Sequence, residues 1–359
     1  ANRFFQQALF RLTLFLRDAK MGIVVTKFKL SRRRMVLIAG VTLAILLVAF
    51  AAISLLAGKG GQTPTVRGSL SDRASSAPML NIGGKTVPYD TNLVNILVMG
   101  VDQNADFGER KLSFRSSGQA DFLLLVTIDE KARTVDLMQI DRDTMADITI
   151  LSVLGQDAGT RKAQICLAHG FGGTRERSSQ LTRQAVETFL YGVPVDHFVS
   201  INMGSIGAFA DALGGIPVTV PEDLTDMDPS FVKGAQVLLK GEMANNFVRQ
   251  RMNIGDGTNR MRMQRQKLFM DGFLSRVGAE TAKGRAAANE LFDDLMPLMY
   301  TSLSKGRIIN LLFQTEGYLT GGITYPAGEH TVGANGFTEF HADRAALEQL
   351  VLERFTQGN

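Results

Sequence analysis

The strongest constraint on this chain is an uncharged, mainly apolar run from Met35 to Ala57, long enough to cross a bilayer as one helix, which takes about 20 residues. A signal peptide is the rival, but its apolar core is typically shorter, about 7–15 residues, and follows a short basic start. Arg32-Arg33-Arg34 directly before the run places the N-terminus in the cytoplasm and everything after Gly58 outside. The 359 residues therefore divide into a cytoplasmic segment 1–34, a transmembrane helix 35–57, a linker 58–80 and an extracytoplasmic domain 81–359. Phe4, Phe5, Ala8, Leu9, Leu12, Phe15 and Leu16 recur at helical spacing and predict a helix lying in the inner interface. Gly58 to about Ala77 is rich in Gly, Ser, Thr and Pro, as flexible linkers are.

Charge follows the same division. Up to Arg34 there are nine Lys and Arg against Asp18 alone, so the net +4 of the whole chain leaves the remainder near −4. The basic residues form a juxtamembrane tail, and no nucleic-acid partner is expected. Cys166 is the single cysteine, which excludes an intramolecular disulfide and reads as a small buried thiol.

In the domain, Leu93–Gly100, Asp121–Asp129 and Val135–Asp143, the last closing in Asp141-Arg142-Asp143, are short, mainly apolar runs of the kind that form buried strands. Lys131-Ala-Arg-Thr between the last two has the length of a hairpin connection. Gln180–Tyr191 and Ser205–Leu213 read as helices, and Phe198–Ile201 and Ile216–Val220 as further strands. The C-terminal part reads as a strand or hairpin over 331–340 followed by a helix from Asp343 to Phe355. The predicted class is α/β (α+β): a three-layer α/β/α domain around a central mixed sheet, preceded by the transmembrane helix.

Several strands deliver a charged residue to a loop. Asp102 follows the first, Asp121 opens the second, and Arg142 follows the third. Farther on, Phe247 to Gln266 holds Arg249, Arg251, Arg260, Arg262 and Arg265 around a Gly-Asp-Gly turn. On a strand, Arg249 and Arg251 would share one face; on a helix, Arg262 and Gln266 would share another. Guanidinium forks bind phosphate oxygens bidentately, so this pattern suits a multiply charged phosphate ligand. A solvated basic helix is the plain alternative for the stretch taken alone. Asp102 and Asp121 together suit Mg²⁺, which is held through one or two carboxylates plus substrate phosphates. With Arg142, Arg249, Arg251 and Arg262 they would make up a pyrophosphate site. The four histidines, His169, His197, His330 and His341, have no Ser or Cys partner pattern and read as structural.

These motifs, in this order, resemble the LytR-CpsA-Psr family of cell-wall glycopolymer transferases. The resemblance runs from about Asn95 to the end. It rests on Ile-Leu-Val-Met-Gly-Val-Asp102, Gly-x-x-Asp121, Ile-Asp-Arg142-Asp143-Thr144, His169-Gly-Phe-Gly-Gly173, Gly192-Val-Pro-Val-Asp196-His-Phe, Asp211-Ala-Leu-Gly-Gly-Ile-Pro, Val248-Arg-Gln-Arg251 and Asp256-Gly-Thr-Asn-x-x-Arg262-Met-x-Arg265-Gln266. It implies a single-pass cell-membrane protein whose extracytoplasmic domain uses Mg²⁺ to move a glycosyl phosphate from an undecaprenyl-pyrophosphate-linked glycopolymer to a peptidoglycan hydroxyl. It also implies an apolar tunnel beside the sheet for the polyprenyl tail. Asp102 and Asp121 would be the metal-site carboxylates, and Arg142, Arg249, Arg251, Arg262 and Gln266 the pyrophosphate grip. Two stretches depart from the family pattern. Gly118-Gln-Ala-Asp121 stands where Gly-Arg-Ser-Asp is usual, and Gln164-Ile-Cys166-Leu-Ala-His169 where Lys-Ile-Asn-x-Ala-Tyr is usual. The competing functions are a polyprenyl-diphosphate pyrophosphatase and a non-catalytic lipid-glycan-binding or regulatory protein.

Overall fold

The structure, a computed structural model, describes residues 78–102, 118–152, 155–249 and 259–356. The expected segments 1–34 and 35–57 lie outside these. Among the described residues no helix is long and apolar enough to cross a membrane. The chain begins with a hairpin of β1 (Met79–Ile82) and β2 (Lys85–Pro88). It continues through β3 (Leu93–Val101), β4 (Ala120–Asp129), β5 (Thr134–Ile140), the hairpin of β6 (Met145–Leu151) and β7 (Asp157–Gln164), helix α1 (Arg175–Phe189), β8 (His197–Asn202) and α2 (Ile206–Ala212). Then come β9 (Ile216–Thr219), β10 (Gln236–Leu239), α3 (Gly241–Arg249), α4 (Asn259–Thr281), α5 (Arg285–Leu295), β11 (Met299–Thr301) and α6 (Lys305–Gln314). β12 (Leu319–Thr324), the hairpin of β13 (Gly328–Val332) and β14 (Thr338–Ala342), and α7 (Arg344–Phe355) complete it.

Six strands form the central sheet in the order β11-β8-β3-β4-β5-β12. β4 runs antiparallel to β3 and β5 on either side of it, whereas β8 lies parallel to β3 and β12 parallel to β5, so the sheet is mixed. All of β3 is buried, as its mainly apolar run requires of a strand covered on both faces. Alternation then sorts its side chains. Val94, Ile96 and Val98 join Phe122, Leu124 and Val126 of β4 in one core layer, with Phe209 of α2, Phe247 of α3, Phe273 of α4 and Phe292 of α5. Leu93, Leu97 and Met99 join Leu123 and Leu125 in the other, with Val186 of α1 and Val351 of α7. The layered α+β architecture with a mixed central sheet is therefore the one expected.

One expectation is overturned. The apolar run that ends in Arg249 is helix α3, not a strand. Ala244, Phe247 and Val248 are buried at helical spacing, and Phe247 meets Phe231 edge to face, with ring centroids 5.3 Å apart. The strand expected to place Arg249 and Arg251 on one face is therefore not formed at Arg249, and Arg251 lies outside the described residues.

Arg265 also departs from the reading of that stretch as a basic surface. It is 2% exposed, on the α4 stripe that buries Phe269, Phe273 and Val277. Its Nε donates to the carbonyl of Phe247 at 2.9 Å and its Nη1 approaches Oε1 of Glu222 at 3.5 Å. The guanidinium thus binds a carbonyl in the last turn of α3, where an interhelical cation is favourable. Arg265→Met should destabilise the fold by about 3 kcal/mol, because a half-buried carboxylate and a helix-end carbonyl lose their charged partner together. Urea unfolding checks this; a loss under about 0.5 kcal/mol, the range of an ordinary surface change, would contradict it.

Candidate active site

The site grows from an irregularity between β3 and β4. Gly100 pairs with Phe122, but the next residue, Val101, pairs with Ala120, so Asp121 is an extra residue on β4 with no partner across the ladder. Such a bulge re-aims the side chain it carries. The main-chain carbonyl of Gln119 accepts from both Asp102 N (3.0 Å) and Asp121 N (2.9 Å), which holds the two carboxylate-bearing residues at one end of the sheet. β5 pairs with β4 up to Ile140 opposite Leu123, so the chain leaving β5 brings Arg142 beside Asp121. The three residues expected in the site, Asp102, Asp121 and Arg142, therefore meet at the end of three neighbouring strands.

Arg142 is the hub of the cluster. Its Nη1 is ion-paired with Oδ1 of Asp121, its Nη2 donates to Oε1 of Gln119 at 2.6 Å, and its Nε lies 3.4 Å from Oδ1 of Asp143. Gln164 donates to that same Asp143 oxygen at 3.2 Å and to the carbonyl of Thr338 at 2.6 Å, which ties the β13–β14 hairpin to the cluster. A 3-10 turn over Ile165–Phe171 closes the side. Cys166 N donates to the carbonyl of Arg142 at 3.2 Å, and Nδ1 of His169 lies 3.2 Å from the carbonyl of Gly118. Gly118 itself has φ +73°, a conformation that favours glycine at the approach to the bulge.

Burial decides the electrostatics. Desolvation raises the carboxyl of Asp121 from 3.8 to about 7; Arg142 opposes that rise, while the charges of Asp102 and Asp143 add to it. Oδ1 of Asp121 is buried, and among the described residues its partner is Arg142. Burial likewise pushes the Cys166 thiol up to about 12, so it is neutral and not a nucleophile. That agrees with the buried, inert thiol expected. His330 and His341 are each matched with a carboxylate, Asp141 at 2.9 Å and Glu339 at 3.1 Å, and His169 is buried against backbone.

Arg249 ends α3, and Arg262 and Gln266 lie on α4, where a helix was expected; the side chains of all three are outside those described. Arg251 also lies outside the described residues. Gln119, Asp143 and Gln164 are members of the cluster that the sequence did not single out as site residues. Gln119 and Gln164 were visible only as departures from a pattern.

A sequence model of the LytR_cpsA_psr family matches residues 67–348. The chain belongs to this family. It is 28% identical over 263 residues to Polyisoprenyl-teichoic acid--peptidoglycan teichoic acid transferase TagU of Bacillus subtilis (strain 168), covering 72% of this chain and 76% of that protein. It is also 28% identical over 245 residues to the TagV transferase of the same name and organism, covering 66% of this chain but only 58% of that protein, less than two thirds of its length. The crystal structure of B. subtilis TagV superposes on 74% of this chain and 97% of its own, with a TM-score of 0.51 at 24% identity, which is a likeness of fold.

Proposed function

We propose that this protein is a Mg²⁺-dependent phosphotransferase that attaches a glycopolymer from an undecaprenyl-pyrophosphate carrier to peptidoglycan. It would be held in the cell membrane by one N-terminal helix, with the catalytic domain outside. The observation that carries this reading is the meeting of Asp102, Asp121 and Arg142 at one sheet end, in a family whose curated relatives are named teichoic acid transferases. A hard cation fits the carboxylate pair by the chemistry of its donors: Asp121 is buried, and the nearby charge of Asp102, which works against its ionisation, would be offset by a cation held between them. Bound there, Mg²⁺ would supply charge stabilisation for the diphosphate. Asp102 and Asp121 would hold it, and Arg142 would fix the Asp121 carboxylate. Arg249, Arg251, Arg262 and Gln266 would complete the pyrophosphate grip. An apolar cavity lined by Ile96, Val199, Phe292, Leu311 and Leu312, between the sheet and α5–α6, supports a prenyl tail as part of the donor.

A second reading, a non-catalytic lipid-glycan-binding protein, is favoured by one observation: both terminal nitrogens of Arg142 are already engaged by the protein, Nη1 by Asp121 and Nη2 by Gln119. The full chain incubated with a polyprenyl-diphosphate sugar, Mg²⁺ and a peptidoglycan oligomer separates the readings. Sugar phosphate linked to the oligomer is expected. Its release to water would mean a pyrophosphatase, and binding without turnover a non-catalytic protein.

The proton on Asp121 and the cation would compete for the same carboxylate. Mg²⁺ affinity should therefore climb by up to tenfold per pH unit below about 7 and flatten above it. Calorimetric titration with MgCl₂ across that range checks the slope. An affinity that stays flat with pH would remove Asp121 from the cation site.

A further inference from the structure

Three of the departures from the family pattern, Gln119, Gln164 and Cys166, meet at one guanidinium. Gln119 gives its side-chain oxygen to Nη2 of Arg142 at 2.6 Å. Gln164 holds Oδ1 of Asp143, the oxygen 3.4 Å from Nε of Arg142. Cys166 lies with Sγ 4.0 Å from the same Gln119 oxygen and donates its backbone N–H to the carbonyl of Arg142. Two positions that carry cations in the pattern, 119 and 164, are here neutral amides. Both amides are spent on orienting the cation that remains or its carboxylate neighbour.

We propose that Gln119 is a positioning residue that acts through Arg142: its carbonyl oxygen fixes the guanidinium against Asp121, so that its positive charge is rigidly held on this side of the diphosphate site. Gln119 can do this because an amide oxygen accepts, whereas the guanidinium of the family pattern only donates. Its own backbone carbonyl already anchors Asp102 and Asp121, so one residue sets the spacing of the carboxylates and the aim of the cation. An arginine held at two fixed points loses less freedom on binding an anion, and so binds it more tightly, than one left to swing. The diphosphate as ligand rests on the function proposed above; the link between Gln119 and Arg142 does not.

A double-mutant cycle on the full chain tests this, with farnesyl diphosphate and Mg²⁺ as the probe. Gln119→Met, close in length but without an acceptor, should weaken binding about fivefold, the worth of one hydrogen bond. In an Arg142→Lys background the same change should cost less than about twofold, because a residue acting through another loses its effect when that partner is altered. Equal losses in both backgrounds, or no loss in the first, would overturn the proposal. If the unaltered protein binds no prenyl diphosphate, the proposed function fails and the second readout decides about Gln119. Arg142 should react severalfold faster with phenylglyoxal in Gln119→Met, and at the original rate in Gln119→Glu, which keeps an acceptor. An unchanged rate in Gln119→Met overturns the proposal. Should Gln119→Met not fold, a faster rate in Gln119→Glu overturns it and an unchanged one upholds it.

Discussion

Asp121→Asn is expected to cut transfer on the order of a hundred- to a thousandfold while the domain stays folded, the size of loss seen when one group that stabilises reacting charge is removed. The amide keeps the shape of the carboxylate at the bulge but cannot hold a cation by charge. The same variant has a signature in stability that does not depend on turnover. Folding raises the carboxyl from 3.8 to about 7, so between those values the folded protein keeps a proton that the unfolded chain has released. Unfolding free energy must then fall as pH rises through that window and level off above it. Across about three units the total amounts to at most roughly 4 kcal/mol. Asp121→Asn should lack this slope, whatever the offset caused by depriving Arg142 of its partner. Unfolding of both proteins from about pH 4 to pH 8 is the measurement. Parallel curves would mean that Asp121 is not the buried, proton-holding group inferred, and activity near the original level would remove it from the site.

Gly172→Ala is expected to be the most damaging single-methyl change in the described structure. Its φ of −71° is open to any residue, so backbone strain is not the issue. Space is: a Cβ there would lie 2.1 Å from the backbone nitrogen of Ser178 and 2.3 Å from its Cα. The contact is with the first turns of α1, which cannot step aside as a flexible side chain would. The 3-10 turn would have to move off the helix instead, at a cost of roughly 3 kcal/mol for overpacking of this kind. That turn also carries Cys166 and His169, whose contacts with Arg142 and Gly118 would loosen, so activity should fall with stability. Gly306→Ala is the control. It lies within α6 with nothing within 4 Å of its Cβ, and should leave stability unchanged or raise it by about 0.5–1 kcal/mol. Equal behaviour of the two variants in urea unfolding would show that the 3-10 turn is not packed as described.

Local signals made the central strands legible. Leu93–Gly100 and Asp121–Asp129 are mainly apolar because both faces of those strands are covered, and nothing beyond the sequence is needed to see it. Asp102, Asp121 and Arg142 could be nominated for the same reason: each charged residue stands where an apolar run stops. The hairpins β1–β2 and β6–β7 were missed because short strands exposed on one side carry little pattern; β7 is exposed over its first six residues.

The stretch from Phe247 to Gln266 marks the limit. Its arginines are plain in the sequence, but a short apolar run ending in charge fits a strand or a helix equally, and period alone cannot choose between them. Packing of Phe247 against Phe231 chose the helix. Arg265 looks like its neighbours until Glu222 and the Phe247 carbonyl take it into the core. By itself the sequence determined the strands of the sheet, the family and the charged residues at the strand ends, because each is written in neighbouring residues. Only the tertiary structure decided that Asp121 sits unpaired on a bulge, that Arg265 is structural, and that Gln119, Gln164 and Cys166 gather on Arg142. Those outcomes depend on groups tens of residues apart along the chain, whose meeting no local pattern records.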